Sequence, residues 1–284
     1  MIPAKFEYAV PETIEEAIAL LKEHGEEAKV LTGGHSLIPL MRLRLARPGL
    51  VVDLRKVPDL SGICVNGGEV VIGAATTHAE IAASPDVPRM IAETAQQIGD
   101  PQVRNAGTIG GSLVHADPAA DWPAAMLAAR ATIVLRGPGG ARSVAAETFF
   151  RGILESAAAP GEILTSIRIP ASDAAGAYEK VAQSASGFAL AGVAAQLVLA
   201  RGAIGSAQIG ITGVAEHAYR PAAVEKALAG CAIDAAAVGA ACAAAADGVE
   251  LLEDIHASAR YRAHLARVLA KRAVLRAAGR ARAS

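Results

Sequence analysis

The chain has 284 residues, a formal net charge of −1 and 3% aromatic residues. Without excess positive charge, and with few aromatic side chains for stacking on bases, it lacks the usual features of a nucleic-acid-binding protein. Its length and 52% hydrophobic content suffice for two or three subdomains, each with its own core.

Neither a membrane segment nor a secretory signal is predicted. No apolar run reaches the ~20 residues that a membrane-spanning helix needs, and the amino terminus lacks a basic segment followed by an apolar one. Cys64, Cys231 and Cys242 show no C-x-x-C spacing, so neither an iron–sulfur cluster nor a structural zinc site is predicted. We therefore expect a soluble, cytoplasmic protein with no metal of its own.

Helices and strands are predicted to alternate in the first half of the chain. The first helix begins after Thr13, which opens a capping-box pattern. An apolar segment at 28–31, a glycine turn, a short helix capped by Ser36 and an apolar segment at 50–54 predict a β-α-β unit. Further elements are predicted as hairpins around residues 66–68 and 137–140 and as helices at 76–81, 90–98 and 123–129.

Two glycine turns lie far apart in the sequence, Thr32-Gly33-Gly34-His35-Ser36 and Thr108-Ile109-Gly110-Gly111-Ser112. Paired glycines allow positive φ angles and the close approach of a ligand. The free N–H groups of such a turn, with those of a helix N-terminus, form an anion site suited to a pyrophosphate. One Gly-Gly pair is weak support, because most mark ordinary turns. Two in similar settings favour two halves of one phosphate-binding cradle.

The composition changes near residues 170–176, where Pro, Ser, Asp and Gly follow an apolar segment. This change predicts a domain boundary, with one domain at 1–173 and another at 174–284. The second domain is predicted to hold two antiparallel strands, at 188–199 and 203–214, followed by helices at 221–229, 233–246 and 258–278. The last helix carries many arginines. Its basic face is interpreted as solvated, or alternatively as a docking surface for an acidic partner.

The segment Leu31-Thr32-Gly33-Gly34-His35-Ser36-Leu37, together with residues 100–112, resembles the FAD-binding medium subunit of molybdenum hydroxylases. Within these it is most similar to the carbon monoxide dehydrogenase and xanthine dehydrogenase family. Residues 1–3, 52–55, 117–121 and 178–180 agree as well, so the resemblance covers nearly the whole chain. It implies an α+β fold: a two-part FAD-binding domain of the p-cresol methylhydroxylase type, then an antiparallel sheet with a helical bundle.

The resemblance also implies the site. The FAD diphosphate would lie against the two glycine turns, Asp121 would bond the sugar-like portion, Leu164 would contact the isoalloxazine ring and Lys180 would lie near it. From the sequence alone, Asp121 could instead cap a helix and Lys180 could be a surface charge. The implied FAD-binding residues are Leu31, Thr32, Gly33, Gly34, His35, Ser36, Leu37, Thr108, Ile109, Gly110, Gly111, Ser112, Asp121, Leu164 and Lys180. No catalytic residue is identified, and His115 with Asp117 is too small a set for a metal site.

The function that the resemblance implies is electron transfer. FAD would take electrons from the [2Fe–2S] clusters of a small partner subunit and pass them to a quinone, NAD or oxygen. The molybdopterin cofactor would lie on a large partner subunit, and the complex would be a dimer of heterotrimers. One position and one segment depart from the family pattern: Thr32 replaces a frequent alanine, and residues 183–188 lack the basic residues and tyrosine of carbon monoxide dehydrogenases.

These departures leave the substrate open among carbon monoxide, an aldehyde, a purine and another heterocycle. Two other functions also stay open. The chain could be a stand-alone flavin oxidase of the same fold, or a non-enzymatic nucleotide-binding module. The visible absorption of the purified chain would distinguish a flavoprotein from the last of these.

Overall fold

The computed structural model describes residues 2–282, and a small parallel sheet opens the fold. Its strand order is β1-β3-β2, and α1 packs against it through Ile14, Ala17 and Leu21. The predicted start of α1 is confirmed, because Thr13 Oγ1 accepts a hydrogen bond from the Glu16 N–H at 3.1 Å. The elements are β1 (Glu7–Ala9), α1 (Ile14–His24), β2 (Ala28–Leu31), α2 (Leu37–Arg42) and β3 (Leu50–Asp53).

A five-stranded antiparallel sheet of order β4-β5-β10-β6-β7 forms the second unit. Both predicted hairpins are confirmed, with Asn66 paired to Glu69 and Gly137 paired to Gly140. Every residue of α7 is buried in the core of this unit. The elements are β4 (Ile63–Asn66), β5 (Glu69–Gly73), α3 (His78–Ala83), α4 (Arg89–Gln96), α5 (Pro101–Ala106), α6 (Ile109–His115), α7 (Trp122–Ala128), β6 (Thr132–Gly137), β7 (Gly140–Ala145), α8 (Ala146–Phe149), β8 (Phe150–Gly152), β9 (Glu155–Ser156) and β10 (Ile163–Pro170).

The third unit is a three-stranded antiparallel sheet with helices on it. Its two long strands and three helices were predicted to within a few residues, but its first strand was not, because Glu179 and Lys180 interrupt the apolar pattern there. The elements are β11 (Ala175–Ala182), β12 (Ala189–Ala200), β13 (Ala203–Thr212), α9 (Ala222–Leu228), α10 (Ala235–Ala241) and α11 (Ala259–Ala281). No helix among residues 2–282 has the length and hydropathy of a membrane-spanning segment.

The sequence suggested that the basic face of α11 is solvated, but three of its arginines bond to other parts of the chain. Arg262 is buried, and its guanidinium donates to the Leu190 carbonyl at 2.8 Å and to Asp254 at 2.7 Å. Arg276 and Arg280 both bond to Glu93 of α4. These arginines therefore serve contacts within the chain, and two of them join the third unit to the second.

Candidate functional site

A cavity of about 840 Å³ lies between the two glycine turns. Its volume falls toward the upper end of the roughly 300–1,000 Å³ typical of ligand and cofactor sites. Thirteen of the fifteen predicted site residues line it, namely Leu31, Thr32, Gly33, Gly34, His35, Ser36, Leu37, Thr108, Gly110, Gly111, Ser112, Asp121 and Leu164. Ile109 and Lys180 do not. The Ile109 side chain is fully buried in the core of the second unit.

The first turn connects β2 to α2 and presents unpaired backbone donors. The N–H groups of residues 33–36 make no hydrogen bond with any residue of the 2–282 range. Gly34 has a φ of +73°, which favours glycine. Ser36 is the N-cap residue of α2, but its hydroxyl makes no capping bond, so the predicted cap is wrong and the hydroxyl stays available. Four successive amides and a hydroxyl in one cavity wall suit an anionic group.

The two turns are in direct contact. A Cβ atom on Gly33 would lie 2.7 Å from the Gly107 Cα, so only glycine lets the first turn approach the backbone that leads into the second. Thr32 Oγ1 and Thr108 Oγ1 are 2.9 Å apart and share a hydrogen bond. Thr32, which follows β2, and Thr108, the N-cap residue of α6, thus join the two turns into one continuous cavity wall.

The prediction that both turns present free N–H groups is wrong for the second turn, whose N–H groups are hydrogen-bonded within the chain. The Ile109 N–H donates to the Thr76 carbonyl at 3.1 Å and the Gly110 N–H to the Ala74 carbonyl at 2.8 Å. The Gly111 N–H donates to Thr108 Oγ1 at 3.2 Å, the capping bond of α6. These bonds fix the turn to the end of β5. The second turn is therefore a closely packed wall, while the first supplies the amide donors.

Asp121 lies at the cavity wall in a buried cluster with Tyr178 and Lys180. Tyr178 Oη donates to Asp121 Oδ1 at 2.5 Å, and Lys180 Nζ donates to Asp121 Oδ2 at 2.9 Å. The Lys180 ammonium also donates to the Gln97 carbonyl at 2.9 Å. Burial raises the pKa of Asp121, and the adjacent ammonium opposes that rise.

The cluster corrects the simpler interpretations of both residues. Asp121 makes no side-chain cap to α7. The Lys180 side chain is only 2% exposed, so it is not a surface charge. It does not line the cavity itself but bonds to Asp121, which does.

The segment that departs from the family pattern also borders the cavity. Ser186, Gly187 and Phe188 line it, and the Phe188 ring is 47% exposed. The loop is closed by a bond from the Gln183 N–H to the Phe188 carbonyl at 2.8 Å. The residues at which the resemblance implied a departure therefore lie in the cavity wall.

His78 is a lining residue that the sequence did not identify. It begins α3, behind a complete capping box of Thr77 and Glu80. Its Nδ1 accepts a hydrogen bond from Trp122 Nε1–H at 3.1 Å. Burial lowers the pKa of His78 to about 4, with smaller contributions from His35 and Arg104. The capping box predicted the helix start, but no local signal placed the ring in the cavity.

Comparison with known proteins gives the family. Residues 4–172 match the FAD-binding domain of molybdopterin dehydrogenases, and residues 176–277 match the C-terminal domain of carbon monoxide dehydrogenase flavoproteins. The chain is 43% identical to the carbon monoxide dehydrogenase medium chain of Afipia carboxidovorans, over 99% of this chain and 100% of that one. It is 36% identical to the nicotine 6-hydroxylase medium subunit of Paenarthrobacter nicotinovorans, over 96% and 97%.

The fold also agrees with that of a solved relative. The solved carbon monoxide dehydrogenase of Hydrogenophaga pseudoflava superposes with a TM-score of 0.95 at 42% identity, covering 99% of each chain. The match includes both the predicted FAD-binding part and the sheet-and-helix part. The chain therefore belongs to the family of FAD-binding medium subunits of molybdenum hydroxylases, the oxidoreductases of the carbon monoxide dehydrogenase type.

Proposed function

We propose that the chain is the electron-transfer subunit of a molybdenum hydroxylase. In this proposal it takes electrons from the iron–sulfur clusters of a small partner subunit and passes them to an external acceptor. The observation that carries the proposal is the cavity between the two glycine turns, with four unpaired amides in one wall. A bound FAD supplies a group that accepts one or two electrons, and the protein supplies binding, orientation and electrostatics.

The residues of the cavity fit FAD in three ways. The N–H groups of residues 33–36 and the Ser36 hydroxyl are available donors for the diphosphate. Gly33 and Gly111 let the two turns pack into one wall, since a Cβ on Gly33 would lie 2.7 Å from the Gly107 Cα and one on Gly111 2.9 Å from Thr108 Oγ1. Leu164 and Phe188 offer apolar surface for the flavin ring. The other predicted residues keep their proposed roles, except that Ile109 and Lys180 act from behind the cavity wall.

The Asp121–Lys180 pair sets the charge beside the cavity. Both carboxylate oxygens are occupied by donors from β11, and both side chains are nearly inaccessible to water. A paired carboxylate and ammonium give a local charge near zero, whereas either group alone would leave a buried charge at the wall. The pair therefore holds Asp121 in one orientation at the cofactor and keeps its charge compensated.

The proposal extends to partners and organisation. We propose a large molybdopterin subunit and a small [2Fe–2S] subunit, assembled as a dimer of heterotrimers, with domains at 1–173 and 174–284. A permanent interface of this kind buries about 1,600 Å² or more. The relatives act on carbon monoxide and on nicotine, so the substrate of this assembly stays open, as does its acceptor. The cytoplasmic location stays a prediction.

Co-expression with a large and a small subunit tests the proposal. We expect the three chains to elute together in size-exclusion chromatography. We also expect the flavin to be reduced when the molybdenum subunit oxidises carbon monoxide, an aldehyde or an N-heterocycle. A medium chain that elutes alone, with its flavin still oxidised while the other two chains turn over substrate, would contradict electron transfer.

The same preparation addresses the two other functions. Oxidation of an organic substrate by this chain alone, free of molybdenum and iron, would favour the stand-alone flavin oxidase. A purified chain with no flavin absorption that still binds a nucleotide would favour the non-enzymatic module.

A further inference from the structure

The ring of His78 is buried between the two glycine turns and the core. The residue is only 4% exposed, yet its ring lines the cavity. The His78 N–H donates to the Gly107 carbonyl at 3.0 Å, which fixes the start of α3 beside the second turn. A Cβ on Gly107 would lie 2.9 Å from His78 Nε2, so this nitrogen lies close to the point where the two turns meet.

Trp122 determines the tautomer of this ring. An indole N–H can only donate, so His78 Nδ1, 3.1 Å away, must accept. The proton of the neutral ring is therefore on Nε2. This Nε2–H makes no hydrogen bond within the part of the chain that the structure describes, although nearly all of the residue is buried. Among the described residues the fully buried side-chain polar atom without a partner is Arg262 Nε, so the His78 Nε2–H keeps access to the cavity and can donate to an acceptor that occupies it.

We propose that His78 is a positioning residue for the cofactor, whose Nε2–H donates one hydrogen bond to an oxygen of FAD where the two glycine turns meet. The inference rests on the proposed function. The acceptor is a diphosphate or ribityl oxygen, since both are oxygen acceptors in the stretch of FAD that would pass this junction. Trp122 acts through His78 by keeping the proton on the nitrogen nearer the cofactor.

The imidazole of His78 donates from its neutral form. An imidazolium would carry a proton on Nδ1 as well, facing the Trp122 N–H, so protonation would require the loss of that bond. The charged or titratable groups near the ring are His35 of the first turn and Arg104 of α5, and both also disfavour a cation at His78. The hydrogen bond to FAD thus does not depend on the charge of His78 near neutral pH.

Two variants separate the two nitrogens of the ring. In His78→Asn, the side-chain oxygen can accept from Trp122, but no donor reaches the Nε2 position. In His78→Gln, the amide nitrogen reaches that position. FAD is titrated into the deflavinated full chain, assembled with its co-expressed partners, and followed by flavin fluorescence. We expect the Kd to rise about tenfold in His78→Asn, the size of one hydrogen bond, and to stay within about threefold in His78→Gln.

His264→Asn, at an exposed position of α11, is the matched control and leaves the Kd unchanged. A His78→Asn protein with wild-type thermal stability and wild-type Kd would overturn the inference. So would a His78→Gln protein that binds as weakly as His78→Asn. A wild-type assembly that binds no FAD would refute the proposed function, and the inference with it.

A measurement on the wild-type protein covers the case in which His78→Asn does not fold. Nitrogen-15 NMR of labelled histidine reports which ring nitrogen carries the proton. We expect an Nε2–H signal for His78 that moves downfield when FAD binds. A proton on Nδ1, or an Nε2–H signal unchanged by FAD, would overturn the inference.

Discussion

Thr32 and Thr108 are separated by 76 positions in the sequence, and their side-chain oxygens lie 2.9 Å apart. Thr108 also caps α6 by accepting from the Gly111 N–H, whereas the Thr32 side chain makes, among residues 2–282, only the bond between the turns. Thr108→Ala should therefore lower the free energy of unfolding by about 1–2 kcal/mol, as the loss of an N-cap does, and reduce flavin content. Thr32→Ala should lower the free energy of unfolding by less and leave the flavin content unchanged. Urea unfolding with equal losses for both variants would contradict this difference.

Gly111→Val should abolish flavin binding while the third unit stays folded. Gly111 has an ordinary helical φ, so the reason is space rather than backbone strain. A Cβ would lie 2.9 Å from Thr108 Oγ1 and 3.1 Å from Thr32 Oγ1, which would force the two turns apart. Flavin absorbance per chain and circular dichroism measure the effect. Gly139→Ala is the control, because nothing lies within 4 Å of a Cβ there. Full flavin occupancy in Gly111→Val would remove the second turn from the site.

Lys180→Met should lower the free energy of unfolding by about 3–5 kcal/mol, because it leaves the buried Asp121 carboxylate without its partner. Without the ammonium, Asp121 is more stable protonated, so the loss should grow as the pH rises above the ordinary carboxyl pKa of 3.8. The double variant Lys180→Met/Asp121→Asn should recover most of the stability. A single variant as stable as the wild type at pH 7 would show that the pair is not the buried contact described.

The depressed pKa of His78, about 4 against an ordinary 6.5, makes stability depend on pH. Between these two values the unfolded chain binds more protons than the folded one, so stability is lost as the pH falls from 6.5 toward 4. The full difference corresponds to about 3 kcal/mol. Other groups contribute in this range, so the measurement is the difference between the wild type and His78→Gln in urea unfolding from pH 7 to 4.5. If the free energies of unfolding of the two proteins changed in parallel with pH, the pKa shift of His78 would be contradicted.

Local patterns predicted much of the fold but less of the site. The cap at Thr13, both hairpins and the long strands β12 and β13 follow from short-range patterns. The site depends on distant partners. The amides of Ile109 and Gly110 are occupied because the carbonyls of Thr76 and Ala74 approach from another element, and the sequence around the turn does not encode that approach.

Lys180 and His78 also depend on partners that are distant in the sequence. Lys180 appeared as a surface charge or a residue near the ring, but Asp121, 59 positions away, holds it behind the wall. The tautomer of His78 depends on Trp122, 44 positions away. The glycine turns were predicted from the residues themselves, and the resemblance added FAD with Leu31, Leu37, Asp121 and Leu164, but the hydrogen-bond partners of the lining residues follow only from the fold.

We expect this chain to hold FAD noncovalently in the cavity between the two glycine turns. Acid or heat treatment of the purified co-expressed assembly, followed by mass analysis of the released flavin, tests it most directly. We predict intact FAD in the supernatant, about one molecule per medium chain. Release of FMN alone, flavin that stays on the denatured chain, or no flavin at all would contradict noncovalent binding of FAD in this cavity.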